Sequence, residues 1–150
     1  MQINKSWAGK TIAGIPGPID FERVQKEWDY NVDVGKAIFD EATRQANDFF
    51  RKLGVTPTAE QPAKESYFLY NHSPGFWKYK LVNGQKVRDR RVEFHYWEKD
   101  PITGQIVKKD YSKDPDFNEG QRKGATQSQK RAERHWDNLR DKVWETNPPC

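Results

Sequence analysis

Between residues 20 and 53 the apolar positions recur at helical spacing, and from residue 66 they alternate with polar ones at strand spacing. Asp20 suits a helix N-cap, with Ile19 and Val24 at the separation of a hydrophobic staple. A short helix then begins at Asp20, carrying Phe21, Val24 and Trp28 on one face. A longer helix is predicted from about Asp33 to Leu53, with Val34, Ile38, Ala42, Phe49, Phe50 and Leu53 as its stripe. Gly54 is its C-terminal stop. The Pro-punctuated stretch 56–65 reads as a linker, and 66–70 as a first strand.

Three further strands follow at about 76–82, 85–98 and 105–111. Asn83-Gly84 calls for a tight type I′ turn, because both central positions need positive φ. Asp100-Pro101 with Gly104 marks a longer loop built on a type I turn. Residues 112–127 read as loop, and a last helix runs from about Ser128 to Glu145 on Ala132, Trp136, Leu139 and Val143. The predicted class is α+β: two N-terminal helices, a four-stranded antiparallel β-meander and a C-terminal amphipathic helix. Residues 1–18, rich in Gly and Pro, read as an extended N-terminal arm on a single domain spanning 19–147.

A two-residue loop at Asn83-Gly84 sets Tyr79 opposite Arg88, Trp77 opposite Arg90 and Lys78 opposite Asp89. One face then gathers Trp77, Tyr79, Leu81, Arg88 and Arg90 and runs on into Val92, Phe94 and Tyr96. That face changes from basic to apolar along its length. Either the helices cover its apolar end, or a bulge near Asp89–Arg91 resets the phase.

Composition sharpens this picture. The mean hydropathy of −1.11 leans toward disorder, but six Trp, six Tyr and eight Phe argue for a compact aromatic core. A net charge of +4 favours nucleic acid, an acidic protein or an anionic surface as partner. The only cysteine, Cys150, permits no internal disulfide, and three scattered His with that Cys do not make a zinc site. No cofactor or metal is expected. No run approaches the roughly 20 apolar residues of a membrane span. The N-terminus lacks the apolar core of a signal peptide, so the expected location is a cytoplasm, reached if necessary without a cleavable signal. Asn71-His72-Ser73 matches a glycosylation acceptor only on paper. Phosphate-binding loops, dinucleotide fingerprints, nucleophile elbows and calcium loops are missing from the sequence.

Arg91, Glu93 and His95 stand at i, i+2 and i+4 and share one side of a regular strand. Phosphodiester cleavage without a metal needs a base for the 2′-hydroxyl, an acid for the leaving oxygen and a cation for the pentavalent centre. Glu93 is the candidate base, His95 the acid and Arg91 the phosphate clamp, with Arg88 or Arg90 assisting. An Arg, Glu and His alternating along a strand is equally the makeup of a solvated, ion-paired sheet face.

Lys78, Lys80, Arg88, Arg90, Trp97 and Lys108 are the candidate nucleic-acid contacts, since cations neutralise phosphate and aromatic rings stack on bases. The competing assignment is that the aromatics form core and the lysines guard sheet edges. The short basic run Gln121-Arg122-Lys123-Gly124 could contact phosphate, and His72 could approach a cleft at the sheet's end. His135 reads as a half-buried helix residue.

Helices followed by an antiparallel meander bearing Arg, Glu and His, over about residues 20–111, resemble the layout of small metal-independent ribonuclease toxins of the barnase, colicin and RelE-like group. The resemblance implies that Glu93, His95 and neighbouring arginines carry catalysis and that an acidic immunity or antitoxin protein is the partner. Two rival classes stand beside it. One is a structural or accessory subunit of a larger assembly, such as a phage or virion component, with aromatics as interface anchors. The other is a nucleic-acid-binding module without catalysis.

Overall fold

A computed structural model describes residues 3–71 and 75–146, and the chain is α+β over that range. Helix α1 (Phe21–Lys26) starts where expected, the Asp20 carboxylate accepting from the backbone N–H groups of Glu22 and Arg23. Helix α2 spans Trp28–Leu53 and ends at Gly54, whose φ of 72° is the left-handed stop. It begins five residues earlier than the apolar stripe alone predicts, so Trp28 opens α2 and stands 75% exposed instead of packing with α1.

Helix α3 (Glu60–Asn71) replaces the expected linker from Glu60 onward and the expected first strand. Its start is a half capping box: the Gln61 side chain accepts from the Thr58 N–H, and Pro62 sits in the first turn where it costs no hydrogen bond. Glu65, Phe68 and Leu69 are buried at i, i+3 and i+4, a helical period that the run of aromatics disguised as strand. Helix α4 (Glu119–Thr146) starts nine residues before the expected Ser128. Asn118 and Gln121 form a reciprocal capping box, each side chain accepting from the other's N–H at 2.9 Å. Its buried face is Ala125, Ser128, Gln129 and Ala132, while Leu139 is exposed and the Val143 side chain lies outside the described residues.

The four strands form two separate antiparallel pairs. Strands β1 (Gly75–Val82) and β2 (Gln85–Glu93) turn at Asn83 and Gly84, with φ of 51° and 76°, as a type I′ turn requires. Tyr79 pairs with Arg88, but Lys78 pairs with Arg90 and Trp77 with Arg91, so Asp89 is an extra residue in β2. The bulge is thus the device that resets the phase. Arg88, Arg91 and Glu93 join the Trp77 side, while Arg90 and Val92 join the Lys78 side. The expected strand 85–98 breaks after Glu93; its remainder is β3 (Trp97–Lys99), paired with β4 (Ile106–Lys108). The connecting turn is held by Asp100, whose carboxylate accepts from Ile102 and Thr103 N–H, with Gly104 at φ 71°.

Helix α3 packs between α2 and α4. Under it lies an aromatic cluster of Phe68, Phe94, Tyr96, Tyr111 and Phe117, each no more than 3% exposed. Burying such a ring contributes about 2 kcal/mol, which explains how so polar a chain holds a core. A second cluster joins Ile19, Val24, Tyr30, Val34 and Ile38. Residues 3–18, expected as an extended arm, turn back over this cluster through Ile3, Trp7, Ile12 and Ile15. Backbone bonds from Gly9 N–H to Ile19 and from Ile19 N–H to Lys10, both 2.8 Å, close the loop. No helix of the described residues is long and apolar enough to cross a membrane.

Candidate functional site

Past the end of β2 the side chains still alternate, burying Phe94 and Tyr96 and turning Glu93 and His95 the other way. The backbone at His95 is irregular, and Tyr111 pins it. The Tyr111 hydroxyl accepts from the His95 N–H at 2.9 Å and donates to the His95 carbonyl. The imidazole stacks on Phe49 of α2 at a ring separation of 3.9 Å and 10° between planes.

Both ring nitrogens of His95 meet carboxylates. Nδ1 lies 2.6 Å from Oε1 of Glu65, and Nε2 lies 3.4 Å from Oε2 of Glu93. Glu65 is fully buried on α3, and its other oxygen accepts from the Tyr96 N–H at 2.6 Å. Burial pushes the Glu65 carboxyl up from its ordinary range, opposed by the bonds from His95 and Tyr96. Glu93, by contrast, is 64% exposed. The line Glu65–His95–Glu93 therefore runs from the dry interior to solvent.

It emerges in a cavity of about 380 Å³, lined by Arg91, Glu93 and His95 together with Arg44, Asp48, Phe49 and Lys52 of α2. Arg44 is held by Glu41 and Asp48, while Arg91 and Lys52 make no ion pair among the described residues. Those two cations face a cavity that Glu93 and His95 also line. A tetrahedral oxyanion such as phosphate suits that combination. A second cavity of about 190 Å³ adjoins it, Arg91, Gln45 and Leu69 lining both.

The structure thus gathers Arg91, Glu93 and His95 and disperses the other expected contacts. Lys78 and Arg90 both reach Asp116, at 2.5 and 3.4 Å, and hold its carboxyl below the ordinary range. Lys80 is near Asp89 at 3.8 Å, and Arg88 lies 5.4 Å over the Trp77 ring. Trp97 packs against the core and donates its indole N–H to the Gln61 carbonyl at 2.8 Å. Lys108 pairs with Glu133 on α4. Arg88 and Arg90, expected to assist Arg91, are absent from the described lining of the cavity; Arg44 and Lys52 stand there instead.

The basic run at 121–124 is helical, with Arg122 donating to the Asp114 carbonyl and Lys123 paired with Glu119. His135 stacks on Tyr67 at 4.0 Å, and burial lowers its pKa. His72 lies outside the described residues.

Sequence reasoning missed Glu65, Phe49, Arg44, Lys52 and Tyr111. Only Glu65 carried a local signal, the Thr58/Gln61 capping box that makes its segment a helix.

The β1–β2 hairpin projects from the body. Every described residue from Tyr79 to Arg91 is exposed, including Tyr79 at 51% and Leu81 at 72%. Residues 75–93 hold six Lys and Arg against two Asp and Glu, so this ribbon carries +4, the whole net charge of the chain. Among the described residues no group of three or more His, Cys, Asp or Glu is placed to hold a metal ion. Comparison with protein-family models, with curated proteins and with solved structures finds no match to this chain.

Proposed function

We propose that the chain engages nucleic acid and cleaves RNA by metal-independent acid–base chemistry in the cavity at His95. The observation that carries this reading is the buried Glu65 held against His95 Nδ1, with Nε2, Glu93 and Arg91 opening on one cavity. Glu93, exposed and lining the cavity, takes the proton of a ribose 2′-hydroxyl as that oxygen bonds to phosphorus. The bond from phosphorus to the 5′-oxygen breaks, and His95 Nε2–H protonates the departing oxygen. The products are a 2′,3′-cyclic phosphate and a 5′-hydroxyl.

Glu65 anchors Nδ1 and so turns Nε2 toward the cavity. Arg91 and Lys52 offset charge on the phosphorane. The 3.4 Å between Nε2 and the Glu93 carboxylate must widen to admit a phosphate, and Glu93 is exposed enough to swing. Such acid–base assistance is worth about 10²- to 10⁴-fold in rate.

The projecting ribbon supports the same reading, since six cations on one arm draw a polyanion toward its base, where Arg91 stands. A cytoplasm is where such an activity meets its substrate, and an acidic inhibitor or immunity protein is the protein partner whose charge fits. Incubation with total RNA in EDTA tests the reading. The wild type should degrade RNA, and Glu93→Gln and His95→Ala should not; intact RNA with all three proteins would refute it.

A second reading rests on the exposed apolar side of the ribbon. Trp77, Tyr79 and Leu81 lie together there at 40%, 51% and 72% exposure, as interface anchors of a structural or accessory subunit would. Isolation in a stoichiometric particle, with no action on RNA, would favour it.

A further inference from the structure

We infer that the smaller cavity beside the catalytic one is a nucleobase subsite. This inference rests on nucleic acid being the ligand and, Arg91 apart, concerns residues that the proposed chemistry does not use. The cavity has an apolar floor of Ile38, Ala42 and Leu69, and Trp7 and Tyr70 supply aromatic walls. That is the lining a flat heteroaromatic ring requires.

Two amides at its rim offer opposite hydrogen-bonding character. Asn4 uses its oxygen to accept from the Ser6 N–H at 2.9 Å, which leaves its NH₂ as a donor. Asn71 uses its NH₂ to donate to the Tyr67 carbonyl at 3.0 Å, which leaves its oxygen as an acceptor. Both amides line the cavity. A donor and an acceptor beside stacking surfaces can read one edge of a base.

Cations complete the arrangement. Lys10 lines the cavity 5.9 Å from the Trp7 ring, Arg91 lines both cavities, and the one carboxylate in the lining, Glu41, is paired with Arg44. A phosphate held at Arg91 would thus have His95 and Glu93 on one side and the base of a neighbouring nucleotide on the other. The N-terminal segment carries Asn4, Trp7 and Lys10, so its fold back onto the second core cluster builds the subsite.

The test uses the full chain, isotope-labelled, titrated with AMP, GMP, CMP, UMP and inorganic phosphate while the Trp7 indole N–H and Asn71 amide are followed by NMR. Saturable shifts with nucleotides, stronger for one base and not reproduced by phosphate, are expected. Asn71→Ala should weaken the preferred nucleotide about tenfold, the worth of one good hydrogen bond, and leave the others unchanged. Lys10→Ala, a surface change, should weaken all four alike.

No saturable shift up to about 10 mM, an affinity barely above −3 kcal/mol, or equal shifts with phosphate alone would overturn the inference. Dinucleotide cleavage separates the two claims. Base-selective shifts without cleavage would retain the subsite and remove the ribonuclease. Cleavage with parent kcat/KM on every dinucleotide by Asn71→Ala and Trp7→Phe would remove the subsite and retain the ribonuclease.

Discussion

Oε1 of Glu65 lies 2.6 Å from Nδ1 of His95, across a sequence separation of 30 residues. The carboxylate is fully buried and also accepts the Tyr96 N–H, so its orientation admits little freedom. A buried carboxylate is expensive unless its lone pairs are used, and here one helix and one irregular strand end use them.

Glu65→Gln tests that pair. The introduced amide must turn its oxygen to the Tyr96 N–H, so its NH₂ faces Nδ1 and leaves the single ring proton on Nε2. The amide keeps the ring in place but cannot exchange a proton with Nδ1 as the carboxyl can. RNA cleavage should fall about 100-fold or more with the fold intact by NMR. The same variant should alter the pH dependence of stability. Burial raises the Glu65 carboxyl, so the native state binds that proton more readily than the unfolded chain. The resulting stability is fully present below the ordinary carboxylate range and is lost as pH rises through the raised value. The Gln variant escapes that loss, so its Tm should gain on the parent as pH increases.

Arg91→Ala removes an exposed guanidinium with no ion-pair partner among the described residues. Unfolding free energy should change by no more than about 0.5 kcal/mol, while kcat should fall about 100-fold if, as proposed, this cation offsets charge on the phosphorane. Arg90→Ala, on the opposite side of the ribbon against Asp116, should leave kcat within about threefold, the range of an exposed pair. Equal effects of the two would argue for bulk charge instead of a clamp.

Tyr111→Phe deletes one hydroxyl and leaves both backbone groups of His95 without it. Urea unfolding should show a loss of about 2 kcal/mol, the cost of unmet buried polar groups. Tyr111 acts as a positioning residue, so kcat should fall with KM little changed, and the His95 ring signals should broaden.

Trp77→Ser with Tyr79→Ser alters a ribbon that packs on little else. The Tm should hold, whereas affinity for single-stranded RNA should drop as stacking is removed, about 1 to 3 kcal/mol per base. Replacing Lys86 and Arg88 should instead flatten the salt dependence, by about 0.7 in the log–log slope for each phosphate no longer neutralised.

Local signals in the chain were sufficient wherever the physics was local. Asp20, Gly54, Asn83-Gly84 and Gly104 each act through a cap or a positive φ within a few residues, and the structure places a cap, a stop and two turns there. Period-two spacing likewise kept Arg91, Glu93 and His95 on one side although the strand ends between them. The segment 60–71 failed because a short run of Tyr, Phe and Leu satisfies strand and helix alike; the capping box at Thr58 and Gln61 was the deciding cue.

By itself the sequence determined the α+β class, the hairpin, its charge and the spacing of three candidate catalytic side chains, all consequences of neighbours within one element. Only tertiary packing decided that Glu65 and Phe49 meet His95, that the bulge at Asp89 takes Arg90 off the Arg88 side of the ribbon and puts Arg91 there, and that the N-terminal segment walls a second cavity. Those relationships join residues tens of positions apart through burial and hydrogen bonding, and no local pattern encodes which distant partner a side chain will find.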